Sequence, residues 1–296
     1  MKVNRKWIAA LVIGAMVFGA GCSSSTEETS TESAAQTQEE TTEEAAEEEV
    51  QEEVAENDTT SEEVAAENVT LEEGMLIMST NATFPPYEYY DGDTIVGIDA
   101  DVAAAIADKM GLTLQINDME FDSALAAVQT GQADMVMAGV TVTPEREENM
   151  DFTNSYATGV QVVIVPEDSD ITSIDDLQGK LIGVQQGTTG DIYCSDTPEN
   201  GGYGEENVQK FSSGPLAVEA LKNGQVDCVV IDNEPAKAYV EANPGLKILD
   251  TEFAVEDYAI GVAKGNDALL DALNNALEEL ESDGTLDKII GEYIHE

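Results

Sequence analysis

The sequence has few of the side chains that hold metals or make up His-based catalytic sites. Its single His, His295, lies next to the C-terminus, and its three Cys are widely separated along the chain. A zinc site needs several His or Cys at ligand spacing, and a His-based triad needs a His within the fold. We therefore predict no metal, no cofactor and no His-dependent catalysis.

Basic residues are also scarce. The 296 residues include 12 Lys or Arg against 61 Asp or Glu, a formal net charge of −49. Such a negative surface repels phosphate backbones, which excludes ordinary nucleic-acid binding. Beyond the first few residues the only arginine is Arg146. A guanidinium kept alone among so many carboxylates indicates a specific anion, because arginine meets a carboxylate with two parallel hydrogen bonds.

The only long apolar run is at the N-terminus, where three basic residues precede residues 7–18. That run is too short for a comfortable membrane span. It ends in small residues before Cys22, followed by serines, which resembles a bacterial lipobox. We predict that residues 1–22 are a lipoprotein signal region and that lipidated Cys22 anchors the protein to the outer face of the cell membrane. An ordinary signal peptide with an incidental Cys is the alternative.

Residues 23–73 differ in composition from the rest of the chain. They contain 19 Asp or Glu and no Lys, Arg or aromatic residue. Such a segment buries too little apolar surface to offset its conformational entropy. We predict an acidic, disordered tether that holds the following domain away from the membrane.

The remaining chain contains two similar segments, residues 124–139 and 217–232. Each is an amphipathic helix that stops at a Gly-Gln pair and leads into a short apolar strand. Each follows an earlier strand, near residues 75–79 and 180–185. Two β-α-β-α-β units in series predict an α/β fold of mostly parallel sheets flanked by helices.

We expect these two units to form two lobes. Lobe one comprises residues 74–158 and 257–296, and lobe two comprises residues 159–256. Two strands near residues 156–160 and 254–260 connect them, and the C-terminal helices pack back on the first unit.

Polar residues cluster where predicted strands end. Ligands bind outside the carboxyl ends of strands in open α/β sheets, so these clusters predict a cleft between the lobes. The cleft residues suit a zwitterion, which needs donors for an anion and acceptors for an ammonium group. The candidate anion donors are Arg146, Thr141, and the helix start at Thr188 and Thr189; the candidate ammonium acceptors are Asp232 and the Gly139 carbonyl.

Each of these residues also has a structural interpretation. Thr143 and Pro144 are a good helix start, so Arg146 could lie on the surface of that helix. Asp232 could cap the helix that follows it. Together, however, the residues favour a ligand site.

The chain from about residue 75 to the C-terminus resembles the extracellular solute-binding proteins of polar amino-acid ABC importers, family 3. The resemblance is carried by the runs Phe84-Pro-Pro-Tyr-Glu-Tyr89, Gly97-Ile-Asp-Ala-Asp-Val102, Gly139-Val-Thr-Val-Thr-Pro-Glu-Arg146, Asp151-Phe-Thr-Asn-Ser-Tyr156, Gly187-Thr-Thr-Gly190 and Ile231-Asp232. It implies a two-lobed periplasmic-binding-protein fold (type II) that closes on an α-amino acid. It also implies a membrane permease and its ATPase as partners, and we expect a monomer.

The resemblance assigns roles to individual residues. Arg146, Thr141 and Thr189 would bind the ligand carboxylate, Asp232 and the Gly139 carbonyl its ammonium group, and Phe84 and Phe121 its side chain. Asn81 stands where many relatives carry an acid, and Gln185 faces it from the other lobe.

The ligand side chain is less well defined by the sequence. No second Lys or Arg lies in a cleft segment, which argues against Glu or Asp as ligand. A neutral polar ligand such as glutamine or cystine is favoured. A basic ligand stays open, because Glu120 is close to Phe121 and the surface is negative.

Two other function classes are compatible with the same scaffold. One is an enzyme, for example of the dehydratase type, which would need Glu120 or Glu88 as its general acid. The other is a ligand-sensing ectodomain that signals through a partner. The absence of an internal His and the lipid anchor favour a non-enzymatic transport protein.

Overall fold

The computed structural model describes residues 69–295. The predicted signal region, Cys22 and most of the acidic tether lie outside the described residues. Within this range no helix is long and apolar enough to cross a membrane. The described chain forms twelve strands and eight α-helices, so the α/β class predicted from the sequence is confirmed.

The strands fall into a large sheet and a small one. In chain order they are β1 Met75–Thr80, β2 Thr83–Phe84, β3 Glu88–Asp91, β4 Thr94–Val96, β5 Thr113–Asp118, β6 Met135–Val136, β7 Met150–Pro166, β8 Ile182–Gln185, β9 Val208–Phe211, β10 Cys228–Asp232, β11 Leu246–Ile248 and β12 Ala254–Ala263. The helices are α1 Ile98–Met110, α2 Phe121–Gln129, α3 Pro144–Glu147, α4 Thr189–Ser195, α5 Gly214–Lys222, α6 Asn233–Ala242, α7 Asp267–Ser282 and α8 Thr285–Tyr293.

The two predicted β-α-β-α-β units are present. The first runs β1-α1-β5-α2-β6, with the small sheet of β2, β3 and β4 inserted before α1. The second runs β8-α4-β9-α5-β10. All sheet pairings within each unit are parallel, which follows from the helical crossover between successive strands.

Two long strands join the units into one hydrogen-bonded sheet of order β5-β1-β6-β12-β7-β10-β8-β9, with β11 also on β7. β7 and β12 pair with each other and enter antiparallel to β6 and β10, so the sheet as a whole is mixed. The predicted lobe boundaries, at residues 158/159 and 256/257, fall inside these two strands. Those boundaries stay a prediction.

Helix α1 shows why this chain folds as predicted. Its buried Ile98, Val102 and Ile106 recur every fourth residue and form one apolar face. It starts after Gly97, which has φ 127° and lies so close to the chain that a Cβ would be 2.3 Å from the Tyr87 carbonyl oxygen. Only glycine fits there. α7 and α8 contact α1, which confirms that the C-terminal helices return to the first unit.

The core divides into three apolar clusters, one of which contains the two internal cysteines. Cys194 and Cys228 are fully buried in this cluster and are not bonded to each other. Burial raises the pKa of both thiols.

Candidate functional site

The carboxyl ends of strands from both units meet at one cavity. All ten residues predicted for the ligand site line it: Asn81, Phe84, Phe121, Gly139, Thr141, Arg146, Gln185, Thr188, Thr189 and Asp232. Five lining residues were not among those ten: Glu88, Ala138, Gln161, Val230 and Ile231. The structure thus brings the predicted set together, and its role in binding stays a prediction.

Arg146 is not a surface residue of its helix. It is 8 % exposed, and its backbone N–H is capped by the Thr143 hydroxyl at 3.2 Å, as the Thr-Pro start of α3 predicts. The guanidinium donates to the carbonyl oxygens of Thr141 (2.8 Å) and Gly187 (3.1 Å). It also lies 5.3 Å from the centroid of the Phe121 ring, a cation–π distance.

The guanidinium of Arg146 forms no ion pair with any carboxylate in residues 69–295. Burial lowers its pKa, an effect that the nearby Glu256 partly offsets. Arginine nevertheless stays protonated in proteins. A buried cation without an anion is costly, so the cavity is suited to receive one.

Asp232 presents the opposite charge at the end of β10. It occupies the N-cap position of α6, yet its side chain makes no capping bond. Its carboxylate instead accepts from Gln161 Nε2 at 2.7 Å and from the Tyr258 hydroxyl. Burial, followed by repulsion from Glu256, raises the pKa of Asp232 to about 7. No Lys or Arg in the described chain pairs with it.

Gly139 is held in place by a buried acid of α1. Its N–H donates to Asp99 Oδ2 at 3.0 Å, and Asp99 Oδ1 accepts from the Tyr156 hydroxyl at 2.7 Å. Gly139 has φ 54°, and a Cβ there would lie 2.8 Å from the Phe84 ring. Glycine is therefore required for the backbone to approach the aromatic wall of the cavity. Burial raises the pKa of Asp99 to about 6.

Several hydrogen bonds cross between the two units at the cavity. Gln185 Nε2 donates to Asn81 Oδ1 of the first unit at 2.9 Å. Within the second unit, Gln185 Oε1 accepts from the Gly214 N–H at 3.2 Å, which orients the amide for that bond. At the rim, Gln186 Nε2 donates to Asp122 Oδ2 at 2.8 Å. With the Arg146–Gly187 bond, these contacts close the two units around the cavity.

The start of α4 is arranged as the sequence predicts. Thr188 is the N-cap residue, and its hydroxyl accepts from the Asp191 N–H at 3.4 Å while donating to the Gln185 carbonyl at 2.8 Å. Thr189 follows as the first residue of α4 and is buried. The first N–H groups of a helix have no partner within it, so they are available to an anion.

Glu88 is the most informative residue that the site prediction omitted. It is 1 % exposed and lines the cavity, and its carboxyl lies against that of Asp99 with no N–H or hydroxyl donor among the described residues. Burial and the adjacent Asp99 carboxyl raise the pKa of Glu88 well above its usual range. Two carboxyls this close require a shared proton or a cation. Glu120, by contrast, is exposed and does not line the cavity.

Two further omitted residues sit on the long strands. Gln161 on β7 lines the cavity, and Glu256 on β12 lies behind the Thr141 and Thr189 hydroxyls. Their signal in the sequence was weak, because both lie in strands that were interpreted only as connections between lobes. Among residues 69–295 no cluster of His, Cys, Asp and Glu is arranged to hold a metal ion.

Comparison with known proteins decides the family. Residues 76–296 match the sequence profile of the bacterial extracellular solute-binding proteins, family 3. This chain belongs to that family. The two-lobed periplasmic-binding-protein fold implied by the sequence is confirmed, since solved amino-acid-binding proteins of ABC transporters share it. The description of family 3 names solute binding.

Three relatives illustrate the likeness of this family 3 protein. The arginine-binding extracellular protein ArtP of Bacillus subtilis (strain 168) is 35 % identical over 217 residues, covering 72 % of this chain and 84 % of ArtP. An ancestral arginine-binding protein bound to arginine is 42 % identical with a TM-score of 0.70, covering 75 % of this chain and 98 % of the other. The ancestral protein bound to glutamine is 41 % identical with a TM-score of 0.70, covering 76 % and 100 %.

Proposed function

We propose that this protein captures one amino acid between its two lobes and is the binding component of an ABC importer. One observation carries the proposal. Arg146, buried without an anion, and Asp232, buried without a cation, line the same cavity. A free amino acid supplies both missing charges, because its carboxylate and its ammonium group are attached to the same carbon atom. Binding would therefore pair two charges that the empty protein leaves uncompensated.

The two residues come from different parts of the fold. Arg146 follows the first β-α-β-α-β unit, and Asp232 ends the second. A ligand held by both stabilises the closed arrangement of the lobes over any open one, because only the closed form makes both contacts. A permease that accepts the closed form would then distinguish loaded from empty protein.

The charges of the cavity define the class of ligand side chain. Among residues 69–295 the only basic residue that lines it is Arg146, whereas Glu88 and Asp232 are acidic. An acidic ligand would bury a second carboxylate with no partner, which disfavours Glu and Asp. Glu88 and the adjacent Asp99 carboxyl require a shared proton or a cation, and a cationic ligand would take the place of that proton. This moves the preference from a neutral ligand towards a cationic one. We propose arginine first and glutamine second, in agreement with the ligands named for the relatives.

We propose the same cellular arrangement as the sequence indicates. Residues 1–22 direct export, lipid on Cys22 anchors the chain to the outer face of the cell membrane, and residues 23–73 act as the tether. The partners are a permease and its ATPase on other chains. The folded part acts as a monomer and catalyses no reaction, in keeping with a family of solute-binding proteins.

The ligand class is tested by thermal denaturation of the purified protein with each of the twenty amino acids and cystine. We expect arginine and glutamine to raise the melting temperature, by the equivalent of about 2.7 kcal/mol at a concentration of about 100 Kd. We expect glutamate to have no effect. The proposal is wrong if no amino acid stabilises the protein, and the ligand class is wrong if glutamate matches glutamine.

The role of Glu88 is tested by Glu88→Gln in calorimetry. We expect arginine affinity to fall roughly 10- to 150-fold, from the loss of about 1.5–3 kcal/mol for a hydrogen bond to a charged group. Glutamine affinity should change by less than about threefold, because no charge faces its amide.

Glu120→Gln is the matched control, since it removes the same charge from an exposed position outside the cavity. If Glu88→Gln lowers the affinities for arginine and glutamine equally, Glu88 supports the fold of the cavity and does not recognise the charge of the ligand side chain.

A further inference from the structure

Gly187 lies in the turn between β8 and α4 and contacts the first unit at two points. Its carbonyl oxygen accepts from Arg146 Nη2 at 3.1 Å, and its Cα faces Asp122 so closely that a Cβ would overlap the Asp122 carboxylate. Neither Gly187 nor Asp122 lines the cavity. The turn therefore contributes a contact between the units that a ligand does not itself make.

A buried acid of α4 holds this turn within the second unit. Asp191 is 5 % exposed, and its Oδ2 accepts from the Gly187 N–H at 3.0 Å. Its Oδ1 accepts from Ser195 Oγ at 2.7 Å and pairs with Lys210 Nζ at 3.1 Å. Lys210 lies on β9, the last strand in the sheet order, so the acid is itself held in place. Asp191 does not line the cavity.

The direction of the Gly187 carbonyl depends on such hydrogen bonds. Glycine has the widest choice of backbone conformations, and Gly187 has φ 75°, a value that most residues avoid. A glycine turn whose N–H is free can rotate its carbonyl away from Arg146 at little cost. The hydrogen bond to Asp191 removes that freedom before the two units meet.

We propose that Asp191 is a positioning residue for closure, which fixes the Gly187 turn so that its carbonyl meets Arg146 and the closed arrangement is stabilised for every ligand. The inference rests on the proposed function and adds to it a residue that does not line the cavity. Lys210 supports this role, because it neutralises a carboxylate that would otherwise be buried without a cation.

A closure residue affects binding differently from a residue that contacts the ligand. The ligand enters the open form, in which Gly187 and Arg146 are apart, and it leaves after the closed form reopens. Weakening the Gly187 contact therefore speeds dissociation and leaves association unchanged. Arginine and glutamine are affected equally, because Asp191 does not line the cavity that holds either side chain.

The test is Asp191→Ala, measured on the full chain by surface plasmon resonance with arginine and with glutamine. We expect both affinities to fall by the same factor, roughly tenfold, which corresponds to one hydrogen bond. The loss should appear in koff, with kon changed by less than about twofold. Asp191→Asn, which keeps the volume of the side chain, takes its place if Asp191→Ala does not fold.

Asp227→Ala is the matched control. Asp227 belongs to the same unit, and its Oδ2 likewise accepts from a backbone N–H, that of Leu181 at 2.8 Å. It precedes β10, whereas the cavity lies at the carboxyl end of that strand. We expect Asp227→Ala to leave both affinities unchanged. Equal losses in the two variants, or a changed ratio of arginine to glutamine affinity in Asp191→Ala, would overturn the proposal.

A double-mutant cycle tests whether Asp191 acts through the contact between the units. Asp122→Ala removes the side of this contact that the first unit supplies, and we expect it to weaken glutamine binding. Combined with Asp191→Ala it should cost less than about twofold more, because the turn no longer meets α2 in that variant. Losses that multiply would show that Asp191 supports only its own unit, and the proposal would be wrong.

Hydrogen exchange of the ligand-free protein separates this inference from the proposed function. We expect Asp191→Ala, but not Asp227→Ala, to speed exchange of the backbone N–H groups of residues 138–146 roughly tenfold, because the units separate more often. Faster exchange that is confined to the second unit would reject the role in closure. If the unmodified protein binds neither amino acid, the proposed function is wrong, and the exchange result still decides the role of Asp191.

Discussion

Arg146→Ala is expected to bind the amino acid roughly 100- to 4,000-fold more weakly, a loss of about 3–5 kcal/mol for leaving a buried charge without its partner. The ligand carboxylate would remain in a buried cavity that has lost the one guanidinium supplied by the described residues. The loss is larger than for a surface ion pair, because Arg146 is 8 % exposed and its charge has no other anion. Isothermal titration with arginine and glutamine measures it.

Two variants control this measurement. Arg146→Lys keeps the charge but loses the planar fork, so its affinity should fall between those of wild type and Arg146→Ala. Lys288→Ala removes one positive charge from an exposed site in α8 and should leave affinity unchanged. Circular dichroism melts establish that each variant is folded. Normal affinity in folded Arg146→Ala would remove the carboxylate site from the proposed cavity.

Asp232→Asn is expected to lower affinity by about 3 kcal/mol or more, roughly 100-fold, because the ligand ammonium loses its carboxylate. It should also remove most of the pH dependence of binding. In the empty protein the pKa of Asp232 is raised to about 7, so the group is partly protonated near neutrality. The bound ammonium favours the ionised carboxylate and lowers that pKa.

The sign of the pH dependence follows from these two states. Binding releases a proton from Asp232 below about pH 7, so affinity falls as the pH is lowered, by up to about tenfold per pH unit, and levels off above about pH 8. Titrations between about pH 5 and about pH 8 measure the slope. Asp271→Asn, at an exposed position of α7, is the control and should keep the wild-type slope.

A residual slope in Asp232→Asn would come from the other acids at the cavity. Glu88 and Asp99 both have raised pKa values, and both lie close together behind the aromatic wall. A full wild-type slope that persists in Asp232→Asn would assign the pH dependence to that pair. It would also show that the ligand ammonium does not depend on Asp232.

The sequence predicted well those elements of the fold that depend only on local residue patterns and on their order along the chain. The helix Ile98–Met110 follows from its apolar period and its flanking glycines. The strand that ends shortly before Gly139 and the strand that ends at Asp232 follow from short apolar runs with polar residues after them. The carboxyl ends of parallel strands meet at one edge, so residues that follow them gather without further information. All ten predicted site residues lie at one cavity for this reason.

Local sequence patterns did not predict the burial and contacts of residues whose partners are far away in the chain. Asp99 lies in the first turn of α1, where it accepts from the N–H of Gly139, 40 residues away, a partner that no local pattern indicates. Nothing in the sequence around Glu88 indicates that it is buried. In the structure it is the buried end of β3, and Tyr89 and Tyr90 are progressively more exposed along the same strand. Glu120 is next to Phe121 in sequence but is exposed and does not line the cavity.

By itself the sequence determined the α/β repeats and the charges available to a zwitterion. Only the tertiary structure decided how these charges are used. Thr141 and Glu256, 115 residues apart, share one hydrogen bond, in which the Thr141 hydroxyl donates to the carboxylate. A hydroxyl both donates and accepts, so its role depends on the partner that the folded chain places behind it.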